Sequence, residues 1–185
     1  VTERDRAFET YFRERYDRVM RVIARVVRDP ARAEEIAVEA FWKLWRNPKA
    51  QGEQADGWIY RTAVRMALDE LRRTARRARS EAAMDGPLFA PNPEQLRAEG
   101  EAREQVRQTL AALDSRGAEL LLLRSNGLSY SGVAAALNLN PASVGTLLAR
   151  AQTAFRKEYV KRYGEQPQYE RPGMGGTPSA ATRFR

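Results

Sequence analysis

The sequence predicts an all-α protein of two small helical domains joined by a flexible linker. Three observations carry this prediction. Apolar residues recur on a 3.6-residue period through most of the chain, Pro, Asn and Gly interrupt those runs, and no stretch alternates apolar with polar residues as a half-buried strand does. Charge divides the chain as well: residues 1–79 hold 19 Lys/Arg against 13 Asp/Glu, residues 80–113 hold 3 against 6, residues 114–163 hold 7 against 3, and residues 164–185 hold 3 against 2. Two basic lobes flank an acidic middle.

In the first lobe, residues 1–79, Phe8, Phe12, Tyr16, Val19, Ile23 and Val26 mark one face of a helix that stops at Asp29-Pro30. Asp29 caps the second helix and Pro30 opens it, because a first-turn residue has no intrahelical use for the N–H that proline lacks. Its buried stripe is Ala33, Ile36, Ala37, Ala40, Phe41 and Leu44, and Asn47-Pro48 ends it. After a polar loop through Gly52, a third helix runs from about Asp56 to Arg79 with Ile59, Thr62, Ala63, Met66, Ala67 and Leu71 inward. All three Trp and nine of the 16 aromatic residues fall in residues 1–60, which puts the larger core here.

Residues 80–93 contain Gly86, Pro87, Pro91 and Pro93 with little periodicity and read as the linker. The second lobe, residues 94–163, opens with a long helix over Glu94–Leu113 and a shorter one over Ser115–Ser125, ended by Asn126-Gly127 with the glycine left-handed. A short helix over Ser129–Leu137 follows, with Ser129 as its N-cap. After the turn Asn138-Leu139-Asn140-Pro141, a last helix capped by Asn140 keeps Val144, Leu148, Ala151 and Phe155 inward. A short helix, a tight turn and a longer helix make a helix-turn-helix. Residues 164–185, rich in Gly, Pro, Gln, Ser and Thr, have too little apolar surface to order themselves and read as a disordered tail.

Composition narrows the function. The 185 residues include no Cys and no His, which removes thiolate nucleophiles, zinc fingers, the Ser/His/Asp triad and the commonest metal ligand. No catalytic residues, metal or cofactor are expected. A net charge of +8 and a pI of about 10.2 point to polyanionic partners, nucleic acid first. No stretch approaches the roughly 18–20 uncharged apolar residues of a bilayer span, and the charged start Val1–Arg6 lacks a signal-peptide core, so a cytoplasmic location without membrane insertion is expected.

Three constellations stand out. On the third helix Trp58, Arg61, Arg65, Arg72 and Arg76 form a basic row with an aromatic at its N-terminal end, suited to phosphates and an unpaired base, or else a solvated Arg-rich helix. On the second helix Glu35, Val38, Glu39, Trp42 and Trp45 fall outside the buried stripe. Aromatics with orienting charges make a docking face; a solvated acidic face and a metal site built on Glu34, Glu35 and Glu39 are the alternatives. On the last helix Ser143, Thr146, Ala149, Arg150 and Thr153 lie away from the apolar stripe, where they face a DNA major groove if the motif binds DNA.

The run Glu35-Ile-Ala-Val-Glu-Ala-Phe-Trp-Lys-Leu-Trp45, then Trp58-Ile-Tyr-Arg-Thr-Ala63 and Ala67-Leu-Asp-Glu-Leu-Arg-Arg73, resembles region 2 of bacterial sigma factors of the extracytoplasmic-function (ECF) subfamily. Glu119-Leu-Leu-Leu-Leu-Arg124, Gly127-Leu-Ser-Tyr130, Val133-Ala134 and Ala142-Ser-Val144 through Arg150-Ala151 are similar to region 4 of the same subfamily. The resemblance covers about residues 5–162 and implies a transcription initiation factor without catalytic residues of its own. Core RNA polymerase and promoter DNA are the implied partners, and an anti-sigma factor is a further one it leaves open. It implies that Glu35, Glu39 and Trp42 dock on polymerase and that the loop Asn47–Ala55 holds unpaired −10 bases. Trp58, Arg61 and Arg65 would hold the opened strand, and the last helix would read the −35 duplex. The sequence departs from the subfamily at Val38, at Val64-Arg65, at Gly132 and at Gly145 and Leu147. A stand-alone helix-turn-helix regulator is the alternative function, and a metal-dependent nuclease a third.

Overall fold

In a computed structural model, which describes residues 2–82 and 94–164, seven α-helices and two short 3-10 turns follow one another. They are α1 (Glu3–Ala24), α2 (Pro30–Trp45), the turns Pro48–Ala50 and Gly52–Gln54, α3 (Ala55–Ala82), α4 (Glu94–Ala112), α5 (Ser115–Ser125), α6 (Tyr130–Leu137) and α7 (Pro141–Tyr163). Local chemistry sets most boundaries. The Asp29, Asp114, Ser129 and Asn140 side chains accept amide hydrogen bonds from Ala31, Gly117, Gly132 and Ala142, so α2, α5, α6 and α7 each begin on a satisfied cap. Gly127 takes φ +87° after α5 and Asn138 φ 52° after α6, the left-handed conformation that stops a helix. α1 starts earlier than its apolar stripe, at Glu3, because Thr2 and Asp5 exchange side-chain and backbone hydrogen bonds in a capping box.

Helices α1, α2 and α3 close around Val19, Ile23, Ile36, Phe41, Leu44 and Ile59, all nearly inaccessible to water. Phe12 meets Phe41 edge-on at 4.8 Å between ring centroids. Helices α4 to α7 close around Leu120, Leu123, Val133, Val144 and Leu148. The two cores are continuous, because α3 packs against α1 and α2 on one side and against α4, α5 and α6 on the other.

That sandwich changes the reading of α3. Its inward stripe was expected to be Ile59, Thr62, Ala63, Met66, Ala67 and Leu71. Thr62, Met66 and Leu71 are only half-buried, whereas Val64 and Leu68 are fully buried. Val64 and Leu68 share the helical register of Gly57 and Arg72, which face the second lobe. The expected linker falls largely on residues 83–93 and the expected tail on residues 165–185, both outside the described residues.

Candidate polymerase and nucleic-acid surfaces

The exposed side of α2 carries Val38 and Trp42, 51% and 56% exposed, beside Glu35 and Glu39. Each carboxylate is steadied by a neighbour on the same helix: Arg32 donates to Glu35 at 2.7 Å, and Lys43 lies 2.9 Å from Glu39. The Arg46 guanidinium stands 6.0 Å from the centre of the Trp42 ring. The result is an apolar strip between two acid-base pairs, with a large ring left in water. Trp45 is not part of it. The ring is half-buried, 5.0 Å from Phe8, with the Arg4 guanidinium 4.6 Å from its centre, so it ties α2 to α1. Among the described residues no group of three or more acidic side chains converges as a metal site would require.

The loop after α2 is held in shape from inside. The Gln51 side-chain amide donates to the Leu44 and Trp45 carbonyls, both at 3.0 Å, and so satisfies the open end of α2. Asp56, in the first turn of α3, accepts from the Tyr11 hydroxyl at 2.9 Å and from Arg15 Nε at 3.0 Å. Burial and this carboxylate push the Tyr11 phenol far up, and the hydrogen bond from Arg15 to Asp56 raises Arg15. The loop Asn47–Ala55 is therefore pinned at both ends while Pro48, Lys49, Gly52, Glu53 and Gln54 stay exposed.

The basic row of α3 is not the open stripe that its spacing suggests. Trp58 is half-buried and packs against the core, and Arg61 is half-buried. Arg65 presents two nitrogens to the buried carboxylate of Glu119 on α5, Nε at 2.8 Å and Nη2 at 3.3 Å. Arg72 donates to Ser115 Oγ at 3.0 Å and to the Leu113 carbonyl at 3.2 Å. Among the described residues Arg76 alone of the five is exposed without a hydrogen-bond or ion-pair partner. The acceptors Glu119, Leu113 and Ser115 lie 41 to 54 positions away from these arginines.

Between α6 and α7 the chain bends by 92°, the angle of a helix-turn-helix. Ser143, Thr146, Ala149, Arg150 and Thr153 are all exposed along α7. Thr153 already donates to the Ala149 carbonyl at 3.0 Å, so its hydroxyl is less available than the others. Gly145 faces the Tyr130 ring: a Cβ there would meet Cε2 at 3.5 Å. Tyr130 is 50% exposed, with the Arg124 guanidinium 5.6 Å from its ring centre. Arg124 and Tyr130 were not among the expected site residues, although both lie within the motifs of the second lobe.

With this geometry in place, comparison with known proteins decides the family. Residues 3–77 match Sigma-70 region 2 and residues 103–153 match Sigma-70, region 4. The chain belongs to the sigma-70 family. Relatives to which it is similar include ECF RNA polymerase sigma factors. A probable RNA polymerase sigma factor, RfaY, of Xanthomonas campestris is 29% identical over 85% of this chain and 42% of that one. The ECF RNA polymerase sigma factor SigE of Mycolicibacterium smegmatis is 28% identical over 88% of this chain and 65% of that one. The chain thus spans about two fifths to two thirds of the length of these relatives. A solved structure of the sigma factor RpoE with the anti-sigma factor NepR, from Bartonella quintana, aligns at a TM-score of 0.49 and 14% identity, covering 82% of this chain and 96% of that one.

As a sigma-70 family member, the chain carries region 2 on α1 to α3 and the helix-turn-helix of region 4 on α6 and α7. Among the described residues no single helix is long and apolar enough to cross a membrane.

Proposed function

We propose that this chain directs core RNA polymerase to promoters, adding sequence selectivity and strand opening to an enzyme that supplies all the chemistry. The observation that carries the reading is the pairing of region 2 and region 4 in one chain, each with an exposed surface suited to its task. Residues 1–79 form the domain that docks and opens, and residues 94–163 the domain that reads duplex DNA. On α2, Glu35, Val38, Glu39 and Trp42 bind polymerase: the ring and the valine supply area to desolvate, and the carboxylates fix orientation.

The loop Asn47–Ala55 and the α3 residues Trp58 and Arg61 hold the unpaired strand of the −10 element, with Arg65, Arg72 and Arg76 along its phosphates. On α7, Ser143, Thr146, Ala149 and Arg150 reach base edges of the −35 element. Thr153, Arg124 and Tyr130 stand where a helix-turn-helix meets the backbone. The work is done in the cytoplasm, where polymerase acts, and needs no catalytic residue, metal or cofactor of this chain. Co-elution of the purified chain with core polymerase on a sizing column tests the reading. Recovery of a one-to-one complex supports it. Failure to bind core polymerase while duplex DNA is still bound favours a stand-alone regulator.

A further inference from the structure

We propose that the cavity where the α1–α2 junction, α3, α4 and the end of α7 meet is a binding site for a guanine nucleotide carrying two or more phosphates. The cavity measures about 600 Å³, within the ordinary range for a small-molecule site. Arg28, Arg32, Arg73, Arg77, Arg79 and Arg162 line it, against the carboxylates of Asp29, Glu70 and Glu104. None of these residues belongs to the proposed polymerase or DNA surfaces, so the inference stands apart from that reading.

Part of this charge is already matched within the protein. Arg32 and Arg73 hold Glu70, and Asp29 caps α2. The other four arginines keep their terminal nitrogens. Arg28 meets Glu104 through Nε at 3.4 Å, Arg79 donates through Nε to the Ala75 carbonyl at 3.1 Å, and Arg162 donates through Nε to Glu158 at 2.6 Å. Arg77 is exposed, with no hydrogen bond or ion pair among the described residues. Guanidinium groups from three elements thus line one cavity with their forked ends uncommitted. Like charges gathered this way suit an anion with several oxygens, which forked donors bind two at a time. The first turn of α2 lines the same cavity, and the positive end of its dipole adds to the field.

The rest of the lining is largely apolar. Val27, Leu71, Ala75, Ala78, Ala111 and Ala112 offer small side chains against which a planar ring can lie. Glu104 is the exception. Its Oε1 accepts from Gln108 at 3.2 Å, whereas its Oε2 is buried with no hydrogen-bond partner among the described residues. Arg28 and Arg107 stand 3.4 and 3.8 Å from that oxygen, neither placed to donate to it. A buried carboxylate oxygen in this state calls for a donor. Guanine presents two adjacent donors on one edge, N1–H and the N2 amino group. Adenine presents a ring-nitrogen acceptor beside its amino group, and a carboxylate repels that acceptor. Uncommitted arginines and one unsatisfied acceptor in the same cavity therefore select a guanine nucleotide over an adenine one.

Titration calorimetry of the full chain with GDP, ADP and inorganic pyrophosphate, in about 0.15 M salt to screen diffuse attraction, tests the site. GDP binds once per chain, and ADP and pyrophosphate bind about tenfold more weakly or worse, the loss expected for a hydrogen bond to a charged group. Glu104→Gln brings GDP down to the level of ADP. Arg77→Ala with Arg162→Ala, both exposed, weakens GDP and ADP alike by about tenfold or more. Circular dichroism identifies a variant that has unfolded, and the wild-type order of ligands with the other variant then decides. Equal binding of GDP, ADP and pyrophosphate would mark a non-specific anion patch and overturn the proposal. So would the absence of GDP binding at millimolar concentration, GDP binding that the arginine pair leaves unchanged, or a preference for GDP that survives Glu104→Gln.

Discussion

The guanidinium of Arg32, in the first turn of α2, lies 2.9 Å from Glu70 on α3, and Arg73 holds the same carboxylate at 2.7 Å. This fixes the helix that carries the proposed docking face against the helix that carries the proposed strand contacts. Burial pushes the Glu70 carboxyl up, but hydrogen bonds from Arg73 and Arg32 outweigh it and leave the group below the usual carboxylate range. A depressed carboxylate contributes stability above its unfolded pKa, and that contribution disappears as pH falls through the folded value.

Glu70→Gln is therefore expected to lower stability by about 1–2 kcal/mol near neutral pH. The difference from wild type shrinks as pH is lowered from about 7 to about 3, because protonation removes the same charge from the wild type. Thermal melts across that range check this. A constant gap between the two proteins would show that packing, not charge, holds the helices.

Trp42→Ala removes a ring that is mostly in water, so the melting temperature should move by less than about 0.5 kcal/mol equivalent. Affinity for core polymerase should fall by about 2 kcal/mol or more, the size of an interface anchor. Glu35→Lys with Glu39→Lys should have the same selectivity, since exposed ion pairs such as those with Arg32 and Lys43 contribute about 1 kcal/mol at most. Titration of labelled polymerase, run beside melts of each variant, separates docking from folding.

Trp58 calls for a different substitution. Its ring packs against the core, so Trp58→Ala should destabilise the fold by about 2 kcal/mol and confound any DNA readout. Trp58→Phe keeps most of the packing. It should slow open-complex formation on a duplex promoter and do so much less on a template mismatched around the −10 element, where unpairing has already been supplied. Equal defects on the two templates would confine Trp58 to the core.

At the recognition helix, Gly145→Ala should fold at least as stably as wild type, by up to about 1 kcal/mol, because a methyl meets the Tyr130 ring at ordinary contact distance. Arg150→Ala should weaken transcription from promoters that depend on the −35 element and should leave the melting temperature unchanged, since Arg150 is exposed and carries no ion pair among the described residues. Single-base variants of the −35 element, assayed with each protein, test both expectations.

Much of this fold was legible because local chemistry sets it. Asp29-Pro30, Asn126-Gly127, Ser129 and Asn140-Pro141 announce the ends of α2, α5, α6 and α7 within the sequence itself, and each acts there through its own side chain or backbone. The second buried side of α3 was not legible. Val64 and Leu68 are buried by a lobe distant in sequence, and periodicity within one helix does not register a partner on both faces. The same blindness made Arg65 and Arg72 read as an open row, although the pattern of charges was correct. The exposure of Val38 and Trp42 was legible, since it follows from the single buried stripe of α2; Trp45 departs because its neighbour Phe8 belongs to another helix.

The most direct test of the central claim is transcription in vitro from a library of genomic fragments, using purified core polymerase with and without this chain. Transcripts should begin only when the chain is present, from fragments sharing paired upstream elements, and should vanish with Trp42→Ala or Glu35→Lys plus Glu39→Lys. An unchanged transcript set, with the chain bound to duplex DNA but not to polymerase, would contradict it.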